Sequence, residues 1–143
     1  KEAVRLYGSQ SIVASIDAKK AGNGYCCYVC DGTAKISISP VNLAIKAQEY
    51  GVGEIIINSI DRDGTMTGYD IDLIKSVADS VSVPVVAIGG AKNVGDLKDA
   101  IQNGHAHAAA GGSMFVYYGR LKAVLITAPT EEELIENGII TIS

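Results

Sequence analysis

Two aspartates stand at matching places in a short repeated motif. The tripeptide Ser-Ile-Asp occurs twice, each time at the end of an apolar run, and it ends at Asp17 and at Asp61. A carboxylate at the end of a buried strand is a candidate for a general acid or base. A cap that bonds only to nearby loop backbone is the alternative. The repeat makes both aspartates candidates for acid–base chemistry and leaves the loop cap open for each.

Glycine-rich turns indicate a second kind of chemistry. Gly89-Gly90 and Gly111-Gly112-Ser113 each follow an apolar run. Glycine lets backbone N–H groups approach an anion closely, and a helix that begins near Met114 would add a favourable dipole. Either glycine pair alone is typical of a plain turn. The two together, at the ends of consecutive strands, predict a phosphate site.

Cysteine and histidine are too few and too scattered to favour a metal centre. Cys26 and Cys27 would point to opposite faces of a strand, and a structural zinc site needs four ligands. Cys30 lies close by, but His105 and His107 lie far along the chain. We therefore expect small apolar thiols rather than a metal or redox site. The two histidines, on one face of a strand start, are expected to be structural rather than a ligand pair.

Composition indicates one globular domain, residues 1–143, with a core. About half of the chain is apolar, and its 12 basic and 16 acidic residues give a net charge of −4. Nucleic acid and anionic membranes favour a basic surface, so neither is an expected partner. No apolar run is long enough to span a bilayer, and the first residues lack a signal core. A cytoplasmic protein is expected, and the absence of an initiator Met predicts a fragment of a longer one.

The elements that must position these residues alternate along the chain. Continuous apolar runs predict four strands that are buried on both faces, at residues 11–16, 54–60, 83–88 and 105–110. Amphipathic stretches between and after them predict helices that begin at polar caps. These caps are Ser39, Asp70, Asn93 and Thr130.

Strand–helix alternation predicts an α/β fold with a parallel sheet, and right-handed crossovers bring the strand ends to one side. Polar and glycine-rich residues at those ends are typical of a (β/α) barrel. Four strands make half of an eight-stranded TIM-type barrel, a (β/α)4 unit. A small β-hairpin, residues 25–30 and 34–38, is predicted after the first strand. We expect the open edges to be covered by a missing half or by self-association.

Three segments form a specific pattern: GSQSIVASIDAKK (8–20), GVGEIIINSIDRDGTMTGYD (51–70) and PVVAIGGA (84–91). In this order they resemble the C-terminal half of the cyclase subunit of imidazole glycerol phosphate synthase, and the resemblance covers nearly the whole chain. It implies a (β/α)8 barrel made of two similar halves. It also implies a glutaminase subunit as partner, whose ammonia passes through the barrel, and no cofactor.

The resemblance implies a reaction and a set of site residues. A phosphorylated ribulosyl aminoimidazole carboxamide nucleotide would react with ammonia to give imidazole glycerol phosphate in histidine biosynthesis. Asp17 matches one catalytic aspartate, Ser59 a hydroxyl that lines the substrate site, and Glu54 the ammonia gate. The residues that match phosphate contacts of the family are Asp63, Gly64, Gly90, Gly112 and Ser113. Gly89, from the first glycine pair, completes the predicted phosphate site.

The tail departs from this pattern. FVYYGRLKAVLITAPTEEELIENG (115–138) looks more like a paralogue that works with a glutaminase in the amidation of surface-polysaccharide sugars. There the barrel is expected to relay ammonia to a separate enzyme. An ammonia-relay barrel, or an isolated half-barrel that only associates, therefore stands beside the cyclase interpretation.

Overall fold

A six-stranded, mostly parallel sheet organises the chain. The computed structural model describes residues 1–119 and 121–140. Its strands are β1 (Val13–Ala21), β2 (Gly24–Val29), β3 (Ala34–Ile36), β4 (Glu54–Ser59), β5 (Val85–Ile88) and β6 (Ala108–Ala109). They lie in the order β3-β2-β1-β4-β5-β6. The pairs β1–β4, β4–β5 and β5–β6 are parallel, as an α/β fold with helical crossovers requires.

The helices and one further small sheet complete the fold. The helices are α1 (Glu2–Tyr7), α2 (Pro40–Glu49), α3 (Ile71–Ala78), α4 (Val94–Gln102), α5 (Ser113–Val116) and α6 (Glu131–Glu136). The small sheet pairs β7 (Tyr117–Tyr118) with β8 (Ala123–Val124) antiparallel. Arg120 and residues 141–143, which belong to the predicted domain 1–143, lie outside the described residues, and Arg120 falls within the tail 115–138.

All four predicted helix caps are confirmed. The side chains of Ser39 and Asp70 accept hydrogen bonds from backbone N–H groups in the first turns of α2 and α3. Asn93 and Thr130 form capping boxes at the starts of α4 and α6, in which an acidic side chain bonds back to the cap. Local signals suffice here because a cap needs only residues within one turn of each other.

The first strand is longer than predicted. The sequence indicated a strand at 11–16 and a loop from Asp17, but β1 continues to Ala21. Its far half pairs antiparallel with β2, from Asp17 opposite Tyr28 to Ala21 opposite Gly24. This ladder satisfies the backbone of residues that would otherwise leave the sheet. Asp17 therefore lies within a strand.

The last parallel strand is shorter than predicted, and the placement of both histidines on one face of its start was wrong. Instead of spanning 105–110, β6 holds only Ala108 and Ala109. His105 has a φ of 58°, a left-handed conformation that a strand cannot contain. Both histidines precede the strand and do not share a strand face. His105 is exposed, and its Nδ1 lies 2.6 Å from Asp79 Oδ1.

The prediction that the strands are buried on both faces was wrong, because the described helices cover only one face of the sheet. Ile16, Ile57 and Ala87 alternate along their strands with less buried neighbours and contribute to the core against the helices. On the opposite face, Val13 is 48% exposed and Ser15 is also exposed. One face of this parallel sheet is therefore open in the described part of the chain.

Neither a membrane span nor a metal cluster occurs in the described ranges. No helix among residues 1–119 and 121–140 combines the length and apolarity needed to cross a bilayer. Within the same residues, no three metal-ligating side chains of the His, Cys, Asp and Glu types come together. The three cysteines, Cys26, Cys27 and Cys30, are thiols rather than disulfides.

Candidate functional site

The carboxyl ends of β4, β5 and β6 meet around a cavity of about 90 Å³. We call it the small cavity. Its walls come from the loop after β4, the turn after β5 and the turn after β6. They are Asp63, Gly64, Met66, Ile88, Gly89, Gly90, Ala91, Ala110, Gly111, Gly112 and Ser113. Six residues singled out in the sequence for phosphate contact thus lie together: Asp63, Gly64, Gly89, Gly90, Gly112 and Ser113.

Backbone hydrogen bonds shape the loop after β4. Ser59 O accepts bonds from the N–H groups of Arg62 and Asp63, at 3.0 and 2.9 Å, so the chain turns back at once on leaving the strand. Gly68 N–H then donates to Gly90 O at 2.8 Å. The second bond ties this loop to the turn after β5, so a backbone hydrogen bond joins two walls of the small cavity.

The glycine pair after β5 is required by both conformation and space. Gly89 and Gly90 have φ values of 94° and 107°, which other residues rarely adopt. A Cβ at Gly89 would lie 2.7 Å from Ser59 O and 2.8 Å from Asn58 Oδ1. The turn can therefore approach the end of β4 only without a side chain, and this brings its backbone into the cavity wall.

Tyr69 connects the same loop to the third wall. Its hydroxyl donates to Ala110 O at 2.7 Å, and the residue is buried. Burial raises the pKa of the Tyr69 hydroxyl, and the nearby Asp96 carboxylate raises it further. Tyr69 thus remains a neutral donor and holds the loop after β4 against the end of β6.

The lining of the small cavity suits an anion that is held by backbone donors. Its described walls contain five glycines and no lysine or arginine. Glycine-rich turns can direct N–H groups at an anion, and a cavity of this size holds a small group rather than a whole substrate. The four-residue helix α5, which begins at Ser113, is too short to contribute a useful dipole.

Asp17 lies at the same end of the sheet, two strands away from the glycine turn. It stands directly opposite Asn58 in the parallel ladder of β1 and β4. Asn58 Nδ2 donates to Asp17 Oδ1 at 3.0 Å. Asn58 Oδ1 is buried and accepts no hydrogen bond from the described residues. Asn58 was not among the predicted site residues. Only its position one residue before the repeated Ser-Ile-Asp motif could have indicated it.

The second aspartate of the repeat has the role of a loop cap. Asp61 Oδ2 accepts a hydrogen bond from Lys20 N–H at 2.7 Å, which fastens the end of β1 to the loop after β4. Lys19, the cation nearest to Asp17 in sequence, extends to β2 and the β2–β3 turn. Its Nζ lies 4.9 Å from the centre of the Tyr28 ring and 3.5 Å from Gly32 O.

Ser59 and Glu54 lie apart from the small cavity. Ser59 is 4% exposed and shares the helix-covered face of β4 with Ile55 and Ile57, and it is not among the residues that line the cavity. Glu54 begins β4, opposite Val13. Four residues separate it from Asn58, or about 13 Å along a strand. Glu54 therefore lies at the other end of the sheet.

The sequence matches the family described as histidine biosynthesis protein over residues 1–122. This chain belongs to that family. The match includes the whole small cavity, Asp17 and Asn58, and it ends within the tail. The cavity is therefore built from residues that the family pattern covers.

Individual relatives support membership of the same family. A Leptospira interrogans protein provisionally named imidazole glycerol phosphate synthase subunit HisF is 45% identical over 128 residues, 88% of this chain and 50% of that protein. A Pseudomonas aeruginosa protein provisionally named subunit hisF2 is 43% identical, over 90% of this chain and 51% of its own length. The HisF subunit of Pelodictyon phaeoclathratiforme is 44% identical, over 76% and 43% respectively. The chain thus spans about half the length of the curated relatives it matches.

Proposed function

We propose that this chain is the C-terminal half of a cyclase subunit of the imidazole glycerol phosphate synthase type. The full protein would use glutaminase-derived ammonia to convert a phosphorylated ribulosyl aminoimidazole carboxamide nucleotide to imidazole glycerol phosphate. One observation carries the proposal: six glycine-turn and loop residues converge on one cavity, at the same sheet end as Asp17. Membership of the histidine biosynthesis family supports it.

The small cavity is the proposed phosphate site. The N–H groups of Gly64, Gly90 and Gly112 lie in turns that line it, and no lysine or arginine lies among its described walls. Binding through backbone donors would leave the Asp63 carboxylate directed away from the anion. The phosphate would then position the rest of the substrate over the open face of the sheet, where Asp17 lies.

Asp17 is the proposed general acid or base. It is half-buried on the uncovered face, and its carboxylate is oriented by the Asn58 amide. A carboxylate that is held in one orientation can transfer a proton without first reorganising, which is what a positioned acid or base contributes. Among the two aspartates of the repeat, Asp17 is preferred because Asp61 is engaged by the backbone of Lys20.

The open face of the sheet supports a half-barrel architecture. Val13 and Ser15 of β1 are exposed there, and Ile56 and Val86 occupy the same face of β4 and β5 by register. In a closed barrel this face would surround the interior, and the missing strands would come from a second half. Glu54, at the amino end of β4, would then face the end through which ammonia enters from a glutaminase partner.

A second candidate is an ammonia-relay barrel for sugar amidation, which would deliver ammonia to a separate enzyme. This alternative rests on the sequence of the tail. Residues 115–138 resemble such a paralogue, and the family match stops at residue 122. The small cavity suits both candidates, so activity must decide between them.

Complementation tests the proposal. The chain is co-expressed with the half of the Pelodictyon phaeoclathratiforme subunit that it does not match, in a histidine-requiring bacterium that lacks the cyclase. We expect growth without histidine, and no growth with Asp17→Asn. If the two halves co-purify but growth does not occur, the cyclase assignment is wrong and the relay is favoured. The half alone is expected to give no growth.

A further inference from the structure

Three side chains stand in a row across β2, β1 and β4 on the open face of the sheet. Tyr28 lies directly opposite Asp17 in the antiparallel ladder of β1 and β2, and Asn58 lies opposite Asp17 on β4. Residues that face each other in a ladder project from the same face of the sheet. Cys27, the neighbour of Tyr28 in β2, belongs to the core on the covered face, as this alternation requires. Asp17 is therefore flanked by an amide and by an aromatic ring.

Lys19 carries the positive charge that could reach Asp17. It follows Asp17 by two residues in β1, so its side chain leaves the same face of the sheet, about 7 Å away along the strand. The flexible four-carbon stem of a lysine can span that distance. An ammonium beside a carboxylate favours the ionised form, which would hinder Asp17 in taking up a proton. The position of Lys19 therefore bears directly on acid–base chemistry at Asp17.

Lys19 lies over the ring of Tyr28 instead. Its Nζ is 4.9 Å from the centre of the ring, a distance at which a cation is attracted to the face of an aromatic side chain. Among residues 1–119 and 121–140, Asp17 takes part in no salt bridge. The ring beside Asp17 thus binds the cation that shares its strand face.

The β2–β3 turn gives Lys19 a second partner, because Lys19 Nζ donates to Gly32 O at 3.5 Å. Cys30, Asp31 and Gly32 have φ values of 54°, 56° and 76°, so three successive residues are left-handed. Thr33 N–H donates to Cys30 O at 3.1 Å and closes the turn. The turn therefore presents the Gly32 carbonyl to the ammonium, and two contacts compete with Asp17 for Lys19.

The other titratable groups around Asp17 are few. Those of the neighbouring elements are Lys19 on β1, Cys26 and Tyr28 on β2, and Asp61 in the loop after β4. Asp61 accepts a hydrogen bond from the backbone of Lys20, and the Lys20 side chain leaves the opposite face of β1 by alternation. Lys19 is therefore the group whose position most changes the charge next to Asp17.

We propose that Tyr28 is a positioning residue for Asp17, because its ring holds the Lys19 ammonium away from the carboxylate. Asp17 can then take up and release a proton without a fixed positive charge beside it. The inference rests on the acid–base role of Asp17 in the proposed function. Without the ring, Lys19 would lose one of its two partners and would pair with the carboxylate on its own strand face.

Carbon-13 NMR of the Asp17 carboxyl group in the 143-residue chain tests the inference, through the pH at the midpoint of its titration. We expect Tyr28→Leu to lower this midpoint by about one pH unit, since a paired cation favours the ionised carboxylate. A high salt concentration should reduce the shift. The double variant Tyr28→Leu/Lys19→Met should restore the wild-type midpoint, which it would not do if the ring had only a structural role.

Tyr28→Phe is the matched control, because it keeps the ring and removes only the hydroxyl, and its midpoint should equal that of the wild type. Lys19→Met alone should change the midpoint little, because the ammonium already lies over the ring. A rise of about one pH unit in Lys19→Met would show that Lys19 pairs with Asp17 in the native protein. That result, or an unchanged midpoint in Tyr28→Leu, would overturn the inference.

Urea denaturation checks that Tyr28→Leu is folded, and if it is not, the Lys19→Met titration decides alone. These measurements need no activity, so they are independent of the proposed function. Growth of the histidine-requiring strain with Asp17→Asn would contradict the acid–base role and would leave the contact between Lys19 and Tyr28 in place.

Discussion

Asn58 donates a hydrogen bond to Asp17 across the β1–β4 ladder, with 3.0 Å between Asn58 Nδ2 and Asp17 Oδ1. The two residues are direct neighbours in register, so the amide meets the carboxylate without distortion of either strand. Gly89 approaches Asn58 closely, since a Cβ added at Gly89 would lie 2.8 Å from Asn58 Oδ1. The carboxylate of the proposed acid or base is thus oriented by an amide from the neighbouring strand.

Removal of this amide should impair turnover rather than binding. In the complex of the chain with a complementary half, we expect Asn58→Ala to lower kcat about 10- to 100-fold with little change in KM, because a misplaced catalytic group costs rate. Asp17→Asn should lower kcat further, and the double variant should resemble Asp17→Asn alone. Steady-state kinetics measures this. Additive losses, or a change confined to KM, would show that Asn58 does not act through Asp17.

The turn after β5 should tolerate no side chain. At Gly89 a Cβ would meet Ser59 O and Asn58 Oδ1 at less than 3 Å, on a backbone with positive φ. We expect Gly89→Ala to lower the free energy of unfolding by about 2–3 kcal/mol, from strain and backbone displacement. Urea denaturation measures this. Gly24→Ala is the control, because a Cβ there meets nothing within 4 Å. Equal midpoints for the two variants would contradict the packing described here.

Local signals made the helices and the glycine turns predictable. Ser39, Asn93 and Thr130 each cap a helix through a partner three residues away, and such spacing is visible in a sequence. The strand limits were not predictable in this way. The extent of β1 depends on pairing with β2, and the shortness of β6 follows the backbone conformation of the residues before it.

Site geometry was predictable only where one strand end determines it. The turns that contain Gly89 and Gly112 each follow an apolar run, so their meeting at one sheet edge could be expected from parallel topology. The pairing of Asn58 with Asp17 could not, because it depends on the register between strands that lie 41 residues apart. The cavity of about 600 Å³ between α5 and the tail was equally hidden, because its walls come together through the backbone bond from Thr127 N–H to Phe115 O.

Loss of the Tyr69 hydroxyl should loosen the small cavity. Its bond to Ala110 O, 2.7 Å long, holds the loop after β4 against the end of β6. We expect Tyr69→Phe to cost about 1–2 kcal/mol of unfolding free energy, because the half-buried Ala110 carbonyl loses its partner, and to weaken phosphate binding several-fold. Urea denaturation and phosphate titration measure the two effects. Tyr28→Phe is the control, since Tyr28 lies outside the small cavity. Unchanged phosphate affinity in Tyr69→Phe would show that this hydrogen bond does not contribute to the phosphate site.

Cys27 should make the protein less stable as the pH rises above 9. It is 1% exposed, and burial, with a smaller contribution from Cys26, raises the pKa of its thiol from 9.0 to about 11. Between these values the unfolded chain releases the proton and the folded chain keeps it, so each rise in pH favours unfolding. We expect a loss of about 1 kcal/mol between pH 8 and pH 10 from this group, measured by urea denaturation. Cys27→Ala should lose less stability over that interval, although it starts from a lower value, whereas Cys30→Ala, at an exposed position, should keep the wild-type slope. The same slope in Cys27→Ala as in the wild type would rule out the buried thiol as the source.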